Sequence, residues 1–186
     1  KIGDKFQHFP IDNWHNEFKI AKKFNFDGVE WIISDFSNPI FNSIFAKEIK
    51  KKLNYYKLKI CSISLDLIME HPLHKISEKN INWLTEKIFK VQKNFSIKRI
   101  SIPIEESARF NNNLQKKIAL KKLNKITKKL GKKSKVCIET DIAPKNLQKI
   151  FKMRMFKKIG LLVDIGNVKA NGFNFNDYIE MFSNKI

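Results

Sequence analysis

Five short aliphatic runs, each followed by a longer amphipathic stretch, restrict what this chain can fold into. The runs are residues 28–33 (GVEWII), 59–65 (KICSISL), 99–104 (RISIPI), 135–140 (KVCIET) and 159–164 (IGLLVD). Each reads as a strand without clean polar alternation, the pattern of parallel strands covered on both faces. Between them, Trp14, Phe18, Ala21 and Phe24 recur at helical spacing, as do Ile44, Ile49, Leu53 and Tyr56, and then Ile81, Leu84, Ile88 and Val91. A fourth helix is carried by Leu114, Ile118, Leu123, Ile126 and Leu130. Pro144 suits the first turn of a helix through Leu147, Ile150 and Phe151. Asn176 is placed to cap a last helix through Ile179 and Phe182.

The resulting order, α-β-α-β-α-β-α-β-α-β-α, argues for a parallel sheet with right-handed crossovers. Two architectures compete, an open doubly wound sheet and a (β/α)8 barrel. No glycine-rich phosphate fingerprint follows any strand, which disfavours the dinucleotide-binding version of the first. No Gly/Ser-rich linker divides the chain, so residues 1–186 read as one domain.

The formal charge of +19 invites a nucleic-acid partner. The cations are almost all lysine, however, with only Arg99, Arg109 and Arg154 available for bidentate or stacking contacts. The lysines accompany abundant Asn, Ile and Phe, a combination typical of AT-rich coding sequence. Residues 114–135 hold ten lysines and no acid, and read as an amphipathic helix with a solvated lysine face. Nucleic acid is therefore disfavoured as a partner. Cys61 and Cys137 sit within apolar runs and read as buried free thiols of a reducing compartment. No stretch reaches the length of a membrane span and no signal-peptide pattern opens the chain, so a cytoplasmic location is expected.

Polar residues recur at the C-terminal ends of the apolar runs. Glu30 lies within GVEWII, Asp66 follows SISL, Glu105 and Glu106 follow SIPI, Glu139 closes VCIE and Asp164 closes LLVD. In a barrel these ends converge on one face, where active sites form. Glu139 and Asp164 are the sharpest pair, since consecutive strands are commonly neighbours. Two carboxylates so close repel unless a cation bridges them, and hard divalent cations take such ligands. Stabilisation by lysine or backbone amides is the equal alternative. His71 and His74, in MEHPLH after the second run, suit either a metal or substrate contact or a polar loop. His8 and His15 have no assigned role. The chain has no Cys-x-x-Cys and no Gly-x-Ser-x-Gly, so serine nucleophile chemistry has no support.

The strings FNFDGVEWI, ICSISLDLIMEHPL, VCIETDIAP and LLVDIGNVKANG together resemble the xylose isomerase-like TIM-barrel superfamily. FQHFPIDNWHNEF resembles the first loop and helix of its sugar-phosphate isomerase/epimerase-like branch. The resemblance implies a partial (β/α)8 barrel of about five parallel strands, the second to the sixth, with outer helices. It also implies a divalent metal (Mn, Mg, Zn or Co) held by a Glu, an Asp, a His and a Glu on the fifth to eighth strands. Glu139 matches the first ligand and Asp164 the second, and Glu139 is further implied as a catalytic proton-transfer carboxylate. Glu30, Asp66, His71 and Asn167 are assigned to substrate contact. Asn167 stands three residues after Asp164, where the family often has His.

The implied reaction is isomerisation or epimerisation of a small-molecule sugar or sugar phosphate, by proton transfer next to a carbonyl through an enediolate. A homo-oligomer is compatible with this reading, and no membrane is expected. An apurinic endonuclease-like enzyme on the same fold and a non-catalytic barrel relative are the alternatives. The first, seventh and eighth strands are expected to be missing. A chain cut in this way is expected to be inactive alone and marginal or aggregation-prone, because its parallel edges are open.

Overall fold

The computed structural model describes residues 9–186. Phe6, Gln7 and His8 of the first-loop resemblance lie outside the described residues. Five strands form one sheet: β1 (Gly28–Ile32), β2 (Lys59–Ser64), β3 (Arg99–Ile104), β4 (Lys135–Thr140) and β5 (Gly160–Leu162). They run in the order β1-β2-β3-β4-β5, and every neighbouring pair is parallel. A doubly wound sheet reverses strand order at a switch point, whereas a barrel wall adds each strand beside the last. The sequential order resolves the competition: the described chain is a partial (β/α)8 barrel.

The helices fall where the apolar spacing puts them: α1 (Trp14–Lys23), α2 (Ser43–Tyr56), α4 (Glu78–Phe95), α5 (Asn113–Leu130), α6 (Pro144–Phe151) and α8 (Phe175–Phe182). Two short helices escape the periodicity, α3 (Leu67–Glu70) after β2 and α7 (Ile165–Ala170) after β5. Each is about one turn or a little more, too short for a 3.6-residue repeat to register. The caps are mostly asparagine side chains, on Asn42, Asn112 and Asn174. The last of these corrects the expected cap: Asn174, not Asn176, caps the helix, accepting the backbone N–H of Asn176, and the helix starts two residues earlier.

β3 and β4 show a strict two-residue period that the sequence conceals. Ile100, Ile102 and Ile104, with Val136 and Ile138, are at most 2% exposed and form the helix-covered face. Alternation puts Arg99, Ser101 and Pro103 on the other face, in register with Lys135, Cys137 and Glu139. Those inner residues are small or amphipathic, so the strands look uniformly apolar. On the outer side Trp31 of β1 meets Trp14 and Phe18 of α1 and donates its indole N–H to Asn38 at 3.0 Å.

Three further expectations change. β5 is only three residues long, so Asp164 lies beyond the strand, in the turn that starts α7. The lysine-rich helix is not solvated throughout: Lys122 is 7% exposed and its ammonium donates to the Ile76 carbonyl. Its four-carbon stem packs in the core as readily as a leucine. Cys137 is buried, but Cys61 is only half-buried; both are free thiols. At the β5 edge, Leu161 N–H donates to the Lys185 carbonyl at 2.8 Å, so the residues after α8 run beside that strand. No helix among the described residues is long and apolar enough to cross a membrane.

Candidate active site

The inner face carries its carboxylates toward the C-terminal ends of the strands. Glu139 is the penultimate residue of β4 and pairs in register with Leu162 of β5. Asp164 follows two residues later and caps α7, its Oδ1 accepting the Asn167 N–H at 2.9 Å. Glu105 follows β3 directly and accepts the side-chain amide of Asn167 at 2.6 Å. The three acids therefore lie at or just beyond the ends of three consecutive strands, and Asn167 bridges Glu105 and Asp164.

Their protonation reflects that crowding. Burial pushes the Glu139 carboxyl up to about 7, with further upward pressure from Asp164, Asp66 and Glu30. Burial pushes Glu105 up to about 8, helped by the charges of Glu139, Asp141, Glu106 and Asp164. Desolvation and like charge act in the same direction, since each disfavours the ionised form. Among the described residues the Glu139 carboxyl accepts no hydrogen bond. A half-buried carboxyl without donors, facing other acids, is costly for folding and typical of functional positions.

Glu30 and Asp66 border this group, close enough to raise the Glu139 carboxyl. Glu30 sits in mid-strand rather than at a strand end. The register slips between Val29 and Glu30, where Val29 faces Ile60 but Glu30 faces Ser62. That bulge brings the Glu30 carboxylate to the Ser62 hydroxyl at 2.6 Å. Asp66 accepts from the Ser64 hydroxyl. His71 ends α3 in an exposed position, with its ring against Phe36 at 5.1 Å. His74 is lowered from the ordinary histidine range by burial and by Lys75 and Lys122.

A second acid on the same face was not singled out by sequence reasoning. Asp141, two residues beyond Glu139, is buried and takes the Arg109 guanidinium through Nε, at 3.1 and 3.2 Å, and through Nη2. It also accepts the Glu106 N–H at 2.9 Å. Glu106 has φ of 44°, left-handed for a residue with a side chain, and this bond holds the turn there. The spacing E-T-D after β4 was the available signal, because a two-residue step keeps both acids on one face.

Glu139 and Asp164 carry oxygen donors of the kind a hard divalent cation takes. Among the described residues no three acidic, histidine or cysteine side chains are grouped tightly enough to hold an ion. Glu139 and Asp164 therefore do not make up a complete ligand set among the described residues.

No protein-family model and no curated protein matches the sequence. Solved structures do. A D-psicose 3-epimerase from Clostridium cellulolyticum H10, crystallised with D-tagatose, superposes with a TM-score of 0.72 at 12% identity, over 94% of this chain and 65% of its own. A xylose isomerase-like TIM barrel protein from Mycobacterium smegmatis, in complex with magnesium, gives 0.68 at 14% identity, over 86% and 58%. This chain has the xylose isomerase-like TIM-barrel fold. A third member of that fold, the probable 3-DHS dehydratase AsbF of petrobactin synthesis from Bacillus anthracis, gives 0.69 at 14%, over 97% and 67%. The chain thus spans about two thirds or less of the length of these barrels. The expected fold and its barrel wall are both present, and the wall places Glu105, Glu139 and Asp164 on the rim where barrels of all kinds build their sites.

Proposed function

We propose that this chain contributes the metal-binding half of the catalytic face of a sugar or sugar-phosphate isomerase/epimerase. The observation that carries the reading is Glu139: a half-buried carboxyl on a barrel strand end, without hydrogen-bond donors, raised to about 7. Such a group exchanges a proton near neutral pH, as a general base for an acidic carbon must. The neighbouring fold members include an epimerase with a bound ketose and a magnesium complex, which supports the same reading.

Glu139 and Asp164 would hold a divalent cation, which supplies polarisation of the substrate's carbonyl and hydroxyl oxygens when bound. Glu139 removes the proton from the carbon beside the carbonyl. The C–H electron pair moves into the new C=C bond and the carbonyl π pair onto oxygen, giving an enediolate. Reprotonation at the neighbouring carbon isomerises the sugar, and reprotonation on the opposite face of the same carbon epimerises it. Asn167 cannot titrate, so its part is positional: it fixes Glu105 and offers its remaining polar atoms to a substrate hydroxyl. Glu30, Asp66 and His71 line the approach to this face. Glu105, at about 8, still carries its proton at neutral pH.

The test is solvent exchange. In the complete enzyme to which this chain would contribute that half, with Mn²⁺ or Mg²⁺ present, deuterium from D2O enters a ketose beside its carbonyl, and Glu139→Gln abolishes the exchange. No exchange in a sample shown to bind the metal overturns the proposal.

A further inference from the structure

Arg109 and Lys116 bring positive charge to the catalytic rim. A cavity of about 470 Å³ opens between the turn after β3, the turn after β4 and the first turns of α5 and α6. Its polar lining includes Arg109, Lys116, Asn111, Asn113, Asn146 and Asp141. Asp141 grips Arg109 through Nε and Nη2. Nη1 has no partner among the described residues and keeps both of its N–H groups. The pair thus works as a bracket, in which a buried carboxylate fixes the guanidinium and leaves one of its donor nitrogens uncommitted. The Lys116 ammonium and the side-chain amides of Asn111, Asn113 and Asn146 also have no partners among the described residues. Two cations against one carboxylate leave the cavity a formal positive charge.

We infer that this cavity binds the anionic end of the substrate, a phosphate or carboxylate carried on a sugar-like body. The inference rests on the function proposed above and names its substrate class. The electrostatic reason is geometric. Asp164, with Glu139 where it is ionised, repels an anion that approaches the inner face, so a charged substrate presents its neutral end to Glu139. Asp141 borders both places, acting on Glu105 on one side and lining the cavity on the other. An oxyanion seated there offsets the excess cation and receives three kinds of donor, from Arg109, Lys116 and the asparagine amides. Planar guanidinium and amide groups suit phosphate and carboxylate alike.

The experiment titrates the 186-residue chain with inorganic phosphate and, separately, with acetate, following backbone amide shifts of residues 109–116 and 141–146. Saturable binding of either anion is expected, with phosphate preference indicating a phosphorylated substrate and acetate preference a sugar acid. Lys116→Gln is expected to weaken binding about tenfold, the loss of one charge-assisted hydrogen bond. Asn146→Asp, on an exposed position of α6, is expected to weaken it further. Lys132→Gln, on the far end of the lysine-rich region, is expected to leave it unchanged. Absence of saturable shifts, or an equal effect of Lys132→Gln, overturns the inference, since the lysines would then attract anions diffusely. Manganese binding is measured in the same samples. Phosphate binding without Glu139-dependent manganese binding would sink the metal-dependent reading and leave the anion site standing.

Discussion

Asn167 donates its side-chain amide to the Glu105 carboxyl at 2.6 Å, a bond that joins the first helical turn after β5 to the end of β3 across 62 residues of sequence. Removing it tests how far the rim is held together by polar contacts. Asn167→Ala is expected to cost about 1 kcal/mol, the usual net value of one such bond. Asn167→Asp is expected to cost more above pH 8, where Glu105 ionises and faces a second carboxylate, and less near pH 6. Urea midpoints of the three proteins at both pH values measure this.

The raised carboxyls set a pH dependence of stability with a definite sign. Glu105 and Glu139 titrate near 8 and 7 when folded, against an ordinary value of 4.5. Between those limits the unfolded chain releases protons that the folded chain retains, so stability falls as pH rises from about 4.5 through about 8. The contribution is fully present below 4.5. Thermal midpoints taken from pH 5 to pH 9 are expected to decline, and Glu105→Gln to flatten the decline. A rising or level profile in the wild-type chain contradicts the crowding described here.

A divalent cation acts in the opposite direction, because it pairs with ionised carboxylates. Manganese at a hundredfold excess over its Kd is expected to add about 2.7 kcal/mol at pH 8, by mass action on the folded state. The gain is expected to vanish in Glu139→Gln and Asp164→Asn, and to shrink at pH 5, where protons compete. Calorimetry with and without chelator measures it.

Close packing on the inner face gives a fourth expectation. A Cβ built on Gly28 would lie 2.2 Å from the Lys59 carbonyl oxygen and 2.7 Å from Cys61 Sγ. Backbone cannot yield there without parting β1 from β2. Gly28→Ala is therefore expected to destabilise the chain by about 1–3 kcal/mol, in the range of overpacked cores, and to loosen the bulge that brings Glu30 to Ser62. Chemical denaturation gives the first number, and amide exchange of residues 60–64 reports the second.

The barrel wall was legible in the sequence because its strands and helices differ so plainly in length and period, and β3 and β4 match their expected bounds to the residue. The inner face was not. Ser101, Pro103 and Cys137 are small enough to pass for core, which hid the alternation that aims Glu139 inward. Glu139 and Asp164 were legible as strand-end acids, yet Asp164 turned out to cap α7, because β5 stops two residues earlier. Glu105 was visible only as one acid among several. Its bond to Asn167 joins segments 62 residues apart, and no local pattern reports that. The Arg109–Asp141 bracket was missed for the same reason, with 32 residues between its partners.

The two cysteines stand opposite glycines at either end of the sheet. Cys61 Sγ lies 2.7 Å from where a Gly28 side chain would begin, and Cys137 Sγ lies 2.7 Å from the same point on Gly160. Burial holds the Cys137 thiol above its ordinary range, so it stays unreactive while β4 and β5 remain joined. The Cys137 sulfur is thus a clock for one seam of the wall, read by alkylation: it dates the parting of β4 from β5, while the half-buried Cys61 serves as the more accessible reference.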